Sequence, residues 1–290
     1  MPPPRNLPFQ QVDVFSKAPF KGNPVAVVFE GDALATEDMQ AMANWMNLSE
    51  TVFVCRPTRP EADYRLRLFT PQHELPFAGH PTIGAAHAVT RRGLTSKTPD
   101  HLVQECLKGL VTIRADGGRL FLQLPTPVFR AADMMHLARA AEALGVAVGD
   151  IRHHAIVDVG PVWFTLQLRD AAQVLSLAPD LARLASLEEG GIIGVTVFGL
   201  HTNSGASDVE VRSFAPREGV PEDPVCGSGN GCVAAVIQRH GVLDRDRYTA
   251  SQGRSLGRDG RVHVRFDGDG AIWVGGDAVT CIEGTVQAYT

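Results

Sequence analysis

The stretch "DPVCGSGNGC", residues 223–232, combines three glycines and two cysteines with an acid. It runs into small apolar residues that are typical of a helix and that end at Gly241, as a C-capped helix would. About 145 residues earlier, "ELPFAGHPTIGAAHAV" (residues 74–89) is a weaker version of the same arrangement, and its helix-like segment ends at Gly93. The two stretches therefore indicate an internal repeat.

Further matched features support the repeat, because they occur in the same order in both halves. "RLFTP" at residue 67 matches "RSFAP" at residue 212, and the glycine turns follow with Gly79 matching Gly227. An Asp-Gly pair flanked by alternating apolar residues then predicts a hairpin in each half, at residues 116–117 and 267–268. Strand-like runs open both halves. The pattern predicts an α+β protein with two pseudo-symmetric halves, each with a sheet around one central helix.

The two prolines of "PTPVFRAAD" (residues 125–133) mark the predicted boundary, which gives an N-terminal half over residues 1–125 and a C-terminal half over residues 126–290. Two more helical patterns are predicted at the periphery. One spans residues 36–47, with Thr36 as its N-cap and acids in its first turn. The other spans residues 133–145 and ends at Gly145.

Composition excludes several classes of partner. Among 290 residues the formal charge is −5 and no long Lys/Arg run occurs, so we expect no nucleic-acid partner. The first residues lack the apolar core of a signal peptide, and no apolar run approaches the ~18 residues that span a bilayer. Five cysteines form no CxxC pair, which favours reduced thiols. We expect a soluble, cytoplasmic protein without a membrane contact.

The glycine turns fit an anion site better than a nucleotide or metal site. "GSGNG" has the wrong spacing for a GxGxxG loop, and "PREGVPEDP" before it reads as a loop rather than a buried strand. No HExxH motif or Cys/His ladder supports a metal, so we expect neither a metal nor a cofactor. The "GHP" context makes His80 a turn residue, which keeps it off a shared helix face with His87.

A turn that leads into a helix presents unpaired backbone N–H groups at the positive end of the helix dipole, and these groups attract anions. Two such turns could face each other across the boundary and hold one small carboxylate. The residues predicted to bind it are Gly79, His80, Asp223, Gly227, Ser228 and Gly229. The alternative is that the glycines only permit tight turns.

Five ordered blocks of the chain resemble the phenazine-biosynthesis PhzF-like family, whose relatives on the same duplicated fold include diaminopimelate epimerase and proline racemase. The blocks are "VDVFSKAPFKGNPVAVV" (12–28), "NLSETVFV" (47–54), "FTPQHELPFAGHPTIGAA" (69–86), "RSFAPREGVPEDPVCGSGNGC" (212–232) and "GRDGRVHVRFDGDGAIWVGGDAV" (257–279). The resemblance implies two halves, each a mixed or antiparallel sheet wrapped around a central helix, with the active site in the cleft between them. It also implies a homodimer.

The family resemblance further implies a cofactor-independent isomerase that moves a proton between carbons of a small carboxylate. By position in the motifs, Glu50 would carry the catalytic proton, and His80, Asp223 and Ser228 would line the substrate site. Position alone makes Glu50 a solvated surface charge. Burial in an apolar cleft, with Leu48, Val52 and Phe53 nearby, would instead raise its pKa toward neutrality. Asp223 could equally be a helix cap, and His80 a turn residue bonded to backbone.

Cys226 leaves two alternatives open. Racemases on this fold use two opposed thiols, but the first turn here has Ala78, which excludes a two-cysteine mechanism. A helix N-terminus would lower the pKa of the Cys226 thiol and make it reactive, whereas a buried thiol would only pack the turn. The alternatives to the isomerase are therefore a thiol-dependent epimerase-like enzyme that uses Cys226 and a non-catalytic protein that binds a small carboxylate.

Overall fold

The structure is a computed structural model that describes residues 5–202 and 205–288. The chain divides into two compact units. The first contains the residues up to Gln123 together with those from Gly275 onward, and the second is Leu124–Val274. None of the described helices is long and apolar enough to cross a membrane.

The first part of the chain forms eight strands and two helices. In chain order they are β1 (Arg5–Val14), β2 (Asn23–Val28), α1 (Thr36–Met46), β3 (Thr51–Cys55), β4 (Tyr64–Phe69), β5 (Glu74–Leu75), α2 (Gly79–Arg91), β6 (His101–Cys106), β7 (Gly109–Asp116) and β8 (Arg119–Gln123).

The rest of the chain forms ten strands and four helices. They are β9 (Val128–Arg130), α3 (Met134–Leu144), β10 (His153–Asp158), β11 (Val162–Gln167), α4 (Ala171–Ser176), α5 (Leu181–Ala185), β12 (Gly194–Leu200), β13 (Val209–Ala215), β14 (Val220–Asp223), α6 (Gly227–His240), β15 (Arg247–Gln252), β16 (Gly260–Phe266), β17 (Ile272–Gly276) and β18 (Ala278–Ala288).

The strands of the two units pair in the same way, which confirms the predicted α+β fold with two similar halves. In the first unit β1–β2 is antiparallel, β2–β3 parallel, β3–β4 antiparallel, β4–β6 parallel and β6–β7 antiparallel. In the second unit the pairs β10–β11, β11–β12, β12–β13, β13–β15 and β15–β16 repeat that series. The helix between the fourth and fifth strands of the series is α2 in one unit and α6 in the other.

The strand that follows each repeat in the sequence pairs with a strand of the other repeat. β9 follows the first repeat but pairs with β10, and β18 follows the second repeat but pairs with β1 from Arg5↔Ala288 to Val14↔Ala278. The predicted C-terminal half, residues 126–290, included the last strand, β18. In the structure, the pairing of β18 with β1 places this strand in the first unit. A strand is stable where its backbone N–H and C=O groups find hydrogen-bond partners, so its position in the sequence does not determine which unit it joins.

The helices α2 and α6 are the centres of their units. A helix buried on nearly all sides carries apolar residues around its whole circumference. Nine residues of α2 between His80 and Val89 are buried, and all but His80 and Thr82 are apolar or glycine. A side chain at Gly84 would place its Cβ 2.4 Å from Val25 Cγ1, so glycine lets α2 lie directly on β2. In α6, a Cβ at Gly229 would lie 2.6 Å from Ser213 Oγ of β13.

The local predictions have mixed outcomes. The hairpin at Asp116 forms, with Gly117 and Gly118 at φ of 57° and 80°, as a two-residue turn with positive φ requires. Helix α3 ends at Gly145 as predicted. The prediction for Thr36 is wrong: Ala35 is the N-cap, and the Thr36 hydroxyl instead accepts hydrogen bonds from Arg67. The segment before the second glycine turn, predicted as a loop, contains the strand β14.

Candidate active site

Glu50 and His80 come together in the first unit, although they are thirty residues apart in sequence. Glu50 lies in the short connection between α1 and β3, and its Oε2 atom is 3.4 Å from His80 Nε2. The side chains are only 15% and 6% exposed. Glu50 is therefore not the solvated surface charge that its sequence position alone indicates.

The surroundings of Glu50 favour a protonated carboxyl group. Burial raises its pKa from the ordinary value to about 7, and this effect outweighs the opposing hydrogen bond from Ser49. Among the described residues, no donor hydrogen-bonds the buried Oε2 atom, so the charged form is poorly stabilised there. A carboxyl group with this pKa is present in both protonation states at neutral pH, which suits it to give and to take a proton.

His80 lies inside α2, in its first turn, and the prediction that it is a turn residue outside the helix is wrong. The reason is that α2 begins one residue earlier, at Gly79, and Pro81 continues it, since proline is well tolerated in the first turn of a helix. The N-cap residue Ala78 has no side chain that can bond the first N–H groups. The imidazole is thus held by a buried, rigid element.

A buried hydrogen-bond chain fixes the first turn of α2. Thr82 Oγ1 donates to Ala78 O at 2.8 Å and accepts from Gln104 Nε2 at 3.1 Å, and Tyr64 Oη donates to Gln104 Oε1 at 3.0 Å. All of these side chains are buried, and a satisfied buried network is rigid. The chain therefore holds the turn that carries His80. Nothing in the sequence pattern identified these residues.

In the second unit, the N-terminus of α6 is capped by a thiol. Cys226 is the N-cap residue, and its Sγ accepts a hydrogen bond from Gly229 N at 3.2 Å. Ser228 Oγ lies 3.6 Å from the same sulfur and accepts from Trp163 Nε1 at 3.0 Å. Cys226 thus takes the place that Ser, Thr or Asp usually occupies at a helix start.

The approach to α6 is organised by Gln252. Its Oε1 accepts from Cys226 N at 3.1 Å and from Asn230 Nδ2 at 2.8 Å, while its Nε2 donates to Asp223 O at 3.0 Å. Asp223 Oδ1 accepts from Val225 N at 3.0 Å, so this acid closes the turn before the helix and is not the N-cap itself. Asp223 and Ser228 are partly exposed, whereas Cys226, Gly227 and Gly229 are buried.

The Cys226 thiol differs from the reactive thiol that its position predicts. Burial raises its pKa well above the ordinary value, and nearby Asp223 raises it further. The hydrogen bonds from Gly229 and Ser228 oppose these effects but do not overcome them. Only the thiolate is a strong nucleophile, so the surroundings of Cys226 keep the sulfur in its unreactive form.

Each glycine turn is tied to its sheet by an arginine–glutamate pair. Arg67 donates to Glu74 through Nε and Nη2 at 2.7 and 2.6 Å, and Arg212 donates to Glu222 in the same way at 2.9 and 2.8 Å. The arginines belong to the repeated "RLFTP" and "RSFAP" blocks, and each glutamate stands five residues before its turn glycine. The repeated blocks therefore contain a sequence signal for both pairs, although neither pair belongs to a motif considered above.

No group of three or more His, Cys, Asp or Glu residues in the described part of the chain has a metal-binding arrangement. The chemistry that the residues themselves offer is proton transfer at Glu50 and His80, and hydrogen bonding by the polar groups around the start of α6.

Comparison with known proteins identifies relatives over nearly the whole length. A family model described as "Phenazine biosynthesis-like protein" matches residues 12–284. A Schizosaccharomyces pombe protein named antisense-enhancing sequence 1 is 41% identical over 95% of this chain and 97% of its own length. The trans-2,3-dihydro-3-hydroxyanthranilate isomerase of Pseudomonas aeruginosa is 35% identical over 96% of this chain and 98% of its own length.

Solved structures resemble the fold. A phenazine biosynthesis protein of the PhzF family from Bacillus anthracis aligns with a TM-score of 0.83 and 25% identity, over 97% of this chain and 99% of that chain. A hydroxyproline epimerase from Agrobacterium vitis shares the fold alone, with a TM-score of 0.59 and 14% identity, over 98% of this chain and 91% of that chain.

Proposed function

The chain belongs to the phenazine biosynthesis-like protein family and is an isomerase, and we propose that it moves a proton between two carbons of a small carboxylate without a cofactor. Glu50 is the general acid/base. It takes the proton from one carbon, the electron pair left behind shifts the double bond of the substrate, and the proton is returned to a second carbon. No atom is gained or lost and no redox change occurs.

The observation that carries this proposal is the buried contact between Glu50 and His80, in which the carboxyl pKa is raised to about 7. A general acid/base works best when its pKa is near the working pH. His80 lies beside the carboxylate on the rigid first turn of α2 and restricts its orientation. Geometry and pKa thus support the same role.

Each helix start offers groups that can bind a substrate carboxylate. In the first unit the proposed groups are Gly79 and His80, and in the second they are Asp223, Gly227, Ser228 and Gly229. The support is the chemistry of helix N-termini, whose N–H groups and dipole favour an anion. The partly exposed hydroxyl of Ser228 is a further donor.

A thiol-dependent epimerase is the weaker candidate, because the Cys226 sulfur is buried, caps α6 and has a raised pKa. A binding protein without turnover, the other alternative that the sequence left open, is disfavoured because named isomerases are among the relatives. It would take up a small carboxylate just as the isomerase does, so only chemistry distinguishes the two.

The test is a substrate screen in heavy water, read by mass spectrometry. It begins with trans-2,3-dihydro-3-hydroxyanthranilate, on which the Pseudomonas aeruginosa relative acts by its name, and continues with other small unsaturated carboxylates. The isomerase incorporates solvent deuterium at carbon. Compounds that bind but never exchange would favour the binding protein.

The proposal includes a homodimer, which is the commonest oligomer of soluble proteins, and a cytoplasmic location. Analytical ultracentrifugation and cell fractionation test these two statements separately from the chemistry.

A further inference from the structure

A cavity of about 190 Å³ lies in the second unit, and neither residue assigned above to proton transfer is among its described lining residues. Its wall contains three arginines, Arg254, Arg258 and Arg261, together with His201 and Ser251. The volume is smaller than the ~300–1,000 Å³ typical of pockets for drug-sized ligands, so it suits a small ion or metabolite.

The side chains of β13 and β15 show which face of the sheet the cavity uses. Glu210 and Ser251 are register partners, and Ser251 Oγ donates to Glu210 Oε2 at 2.6 Å. Neighbouring residues in a strand point to opposite faces, and the next residue, Gln252, hydrogen-bonds Asn230 of α6. Ser251 and Glu210 therefore point away from α6, and Gln252, which also lines the cavity, separates it from the start of that helix.

Two of the three arginines come from a segment that the first unit lacks. The register pairs Cys106 with Gly109 where β6 meets β7, and Gln252 with Gly260 where β15 meets β16. Two residues separate the first pair and seven separate the second. The longer connection, residues 253–259, carries Arg254 and Arg258, and we call it the arginine loop.

Two glycines shape the arginine loop. Gly253 has a φ of 98°, and a Cβ there would lie 2.7 Å from Arg258 Cβ and 2.4 Å from Pro224 O. Gly257 has a φ of 70° and ends the helical turn formed by Arg254–Leu256. Ser255 Oγ also donates to Glu222 Oε1 at 2.5 Å. The loop is thus a built turn, anchored to the sheet, that brings two arginines to the cavity.

Charge at the cavity favours an anion. Arg261 already pairs with Asp259 at 2.8 Å, and the charge of Arg254 acts on Glu210. Glu210 also lines the cavity, but it is only 5% exposed and its carboxyl group is bonded to Ser251 and His201. Guanidinium groups have a fixed fork of donors that matches carboxylates and phosphates.

We propose that this cavity is a second binding site for a small anionic metabolite, with Arg254 and Arg258 as the main donors to its phosphate or carboxylate group. The site is independent of the proposed isomerase reaction. It belongs to the second unit alone, since the equivalent turn of the first unit is too short to supply the arginines.

Isothermal titration calorimetry tests the proposal on the full chain, with inorganic phosphate and citrate as separate probes at low ionic strength. We expect binding that weakens as sodium chloride is added. Arg254→Gln should weaken it about tenfold or more, because a charge-assisted hydrogen bond is lost. The double variant with Arg258→Gln should abolish it. The matched control is Arg247→Gln, an exposed arginine of the same unit outside the cavity, which should change the affinity less than about twofold.

Binding of either probe with this pattern supports the site, and the preferred probe identifies the head group as phosphate or carboxylate. Three results would overturn the proposal: no binding of either anion, an equal loss in Arg247→Gln, or binding that survives in the double arginine variant and disappears in Ser228→Ala. The last result would place the anion at the start of α6.

Discussion

The N-termini of α2 and α6 are equivalent in topology but have different chemistry. At α2 the N-cap is Ala78, which offers no side-chain bond, and the carboxyl group of Glu50 lies beside His80. At α6 the Cys226 sulfur accepts from Gly229 N, and Trp163 donates to Ser228. One helix start carries a carboxyl–imidazole pair, and the other carries a capping thiol and a hydroxyl next to the acid Asp223.

What the two turns share is their support. Each turn has an arginine–glutamate pair before it. In each unit a buried glutamine also forms a hydrogen bond with the residue three positions after the first turn glycine, Gln104 with Thr82 and Gln252 with Asn230. Duplication has therefore kept the framework that positions the turns, while the side chains at the turns have diverged. Proton transfer needs side chains in a precise arrangement, and a rigid supporting framework maintains that arrangement.

The largest expected effect separates the two turns directly. Glu50→Gln keeps size and hydrogen bonding but removes acid/base capacity, so turnover should fall by ~10²–10⁴-fold while ligand binding remains. The measurement is deuterium incorporation into a turned-over substrate. The control is Glu188→Gln, which alters another buried carboxyl group with a pKa raised to about 7 and should leave turnover nearly unchanged. An active Glu50→Gln together with an inactive Cys226→Ser would instead assign the chemistry to the thiol.

The two arginine–glutamate pairs should differ in their contribution to stability. The side chains of Arg212 and Glu222 are 7% and 11% exposed, and those of Arg67 and Glu74 are 22% and 20% exposed. Removing one partner of a buried pair leaves an uncompensated charge and costs ~3–5 kcal/mol, whereas exposed pairs contribute ~0–1 kcal/mol. Glu222→Gln should therefore lower the urea midpoint clearly more than Glu74→Gln. Equal shifts would mean that the repeated pairs are energetically equivalent despite their burial.

Glu50 should also reduce stability at neutral pH. Its pKa is raised in the folded protein, from 4.5 to about 7, so the folded state binds a proton that the unfolded state releases. The stabilising effect of that proton is complete below pH 4.5 and is lost as the pH rises toward 7. Above pH 7, Glu50→Gln should be more stable than the wild type by up to about 3 kcal/mol, and the two should converge near pH 4. Denaturant unfolding at both pH values measures the difference, and a constant difference would contradict the raised pKa.

The sequence was sufficient for features that depend on local pattern. The duplication, the helices after Gly79 and Gly227 and the Asp116 hairpin follow from repeated motifs and turn chemistry. The burial of Glu50 was not predictable from its neighbours, because it depends on the approach of α2 from thirty residues away. The pairing of β18 with β1 joins the two ends of the chain and leaves no local signal.

Cys226 shows a further limit of sequence reasoning. A cysteine at a helix start predicts a lowered pKa only if the thiol is open to solvent and near positive charge, and neither condition can be read from the motif. In the structure the desolvation of the sulfur and the nearby Asp223 outweigh the effect of the helix. The sign of the shift therefore depends on tertiary burial.

The smallest expected effect tests whether Cys226 is a cap. Cys226→Ser keeps a short side chain that can accept from Gly229 N, so it should retain both stability and most activity. Cys226→Ala removes the acceptor at the start of α6 and should cost ~1 kcal/mol, the usual effect of losing an N-cap. Urea denaturation compares the three proteins. Because Ala78 already occupies the equivalent position at α2, Ala78→Gly removes no side-chain acceptor and is the matched control for a change at a helix start. If Cys226→Ala and Cys226→Ser were equally stable, the sulfur would contribute nothing as a cap and the two helix starts would be more alike than their hydrogen bonds indicate.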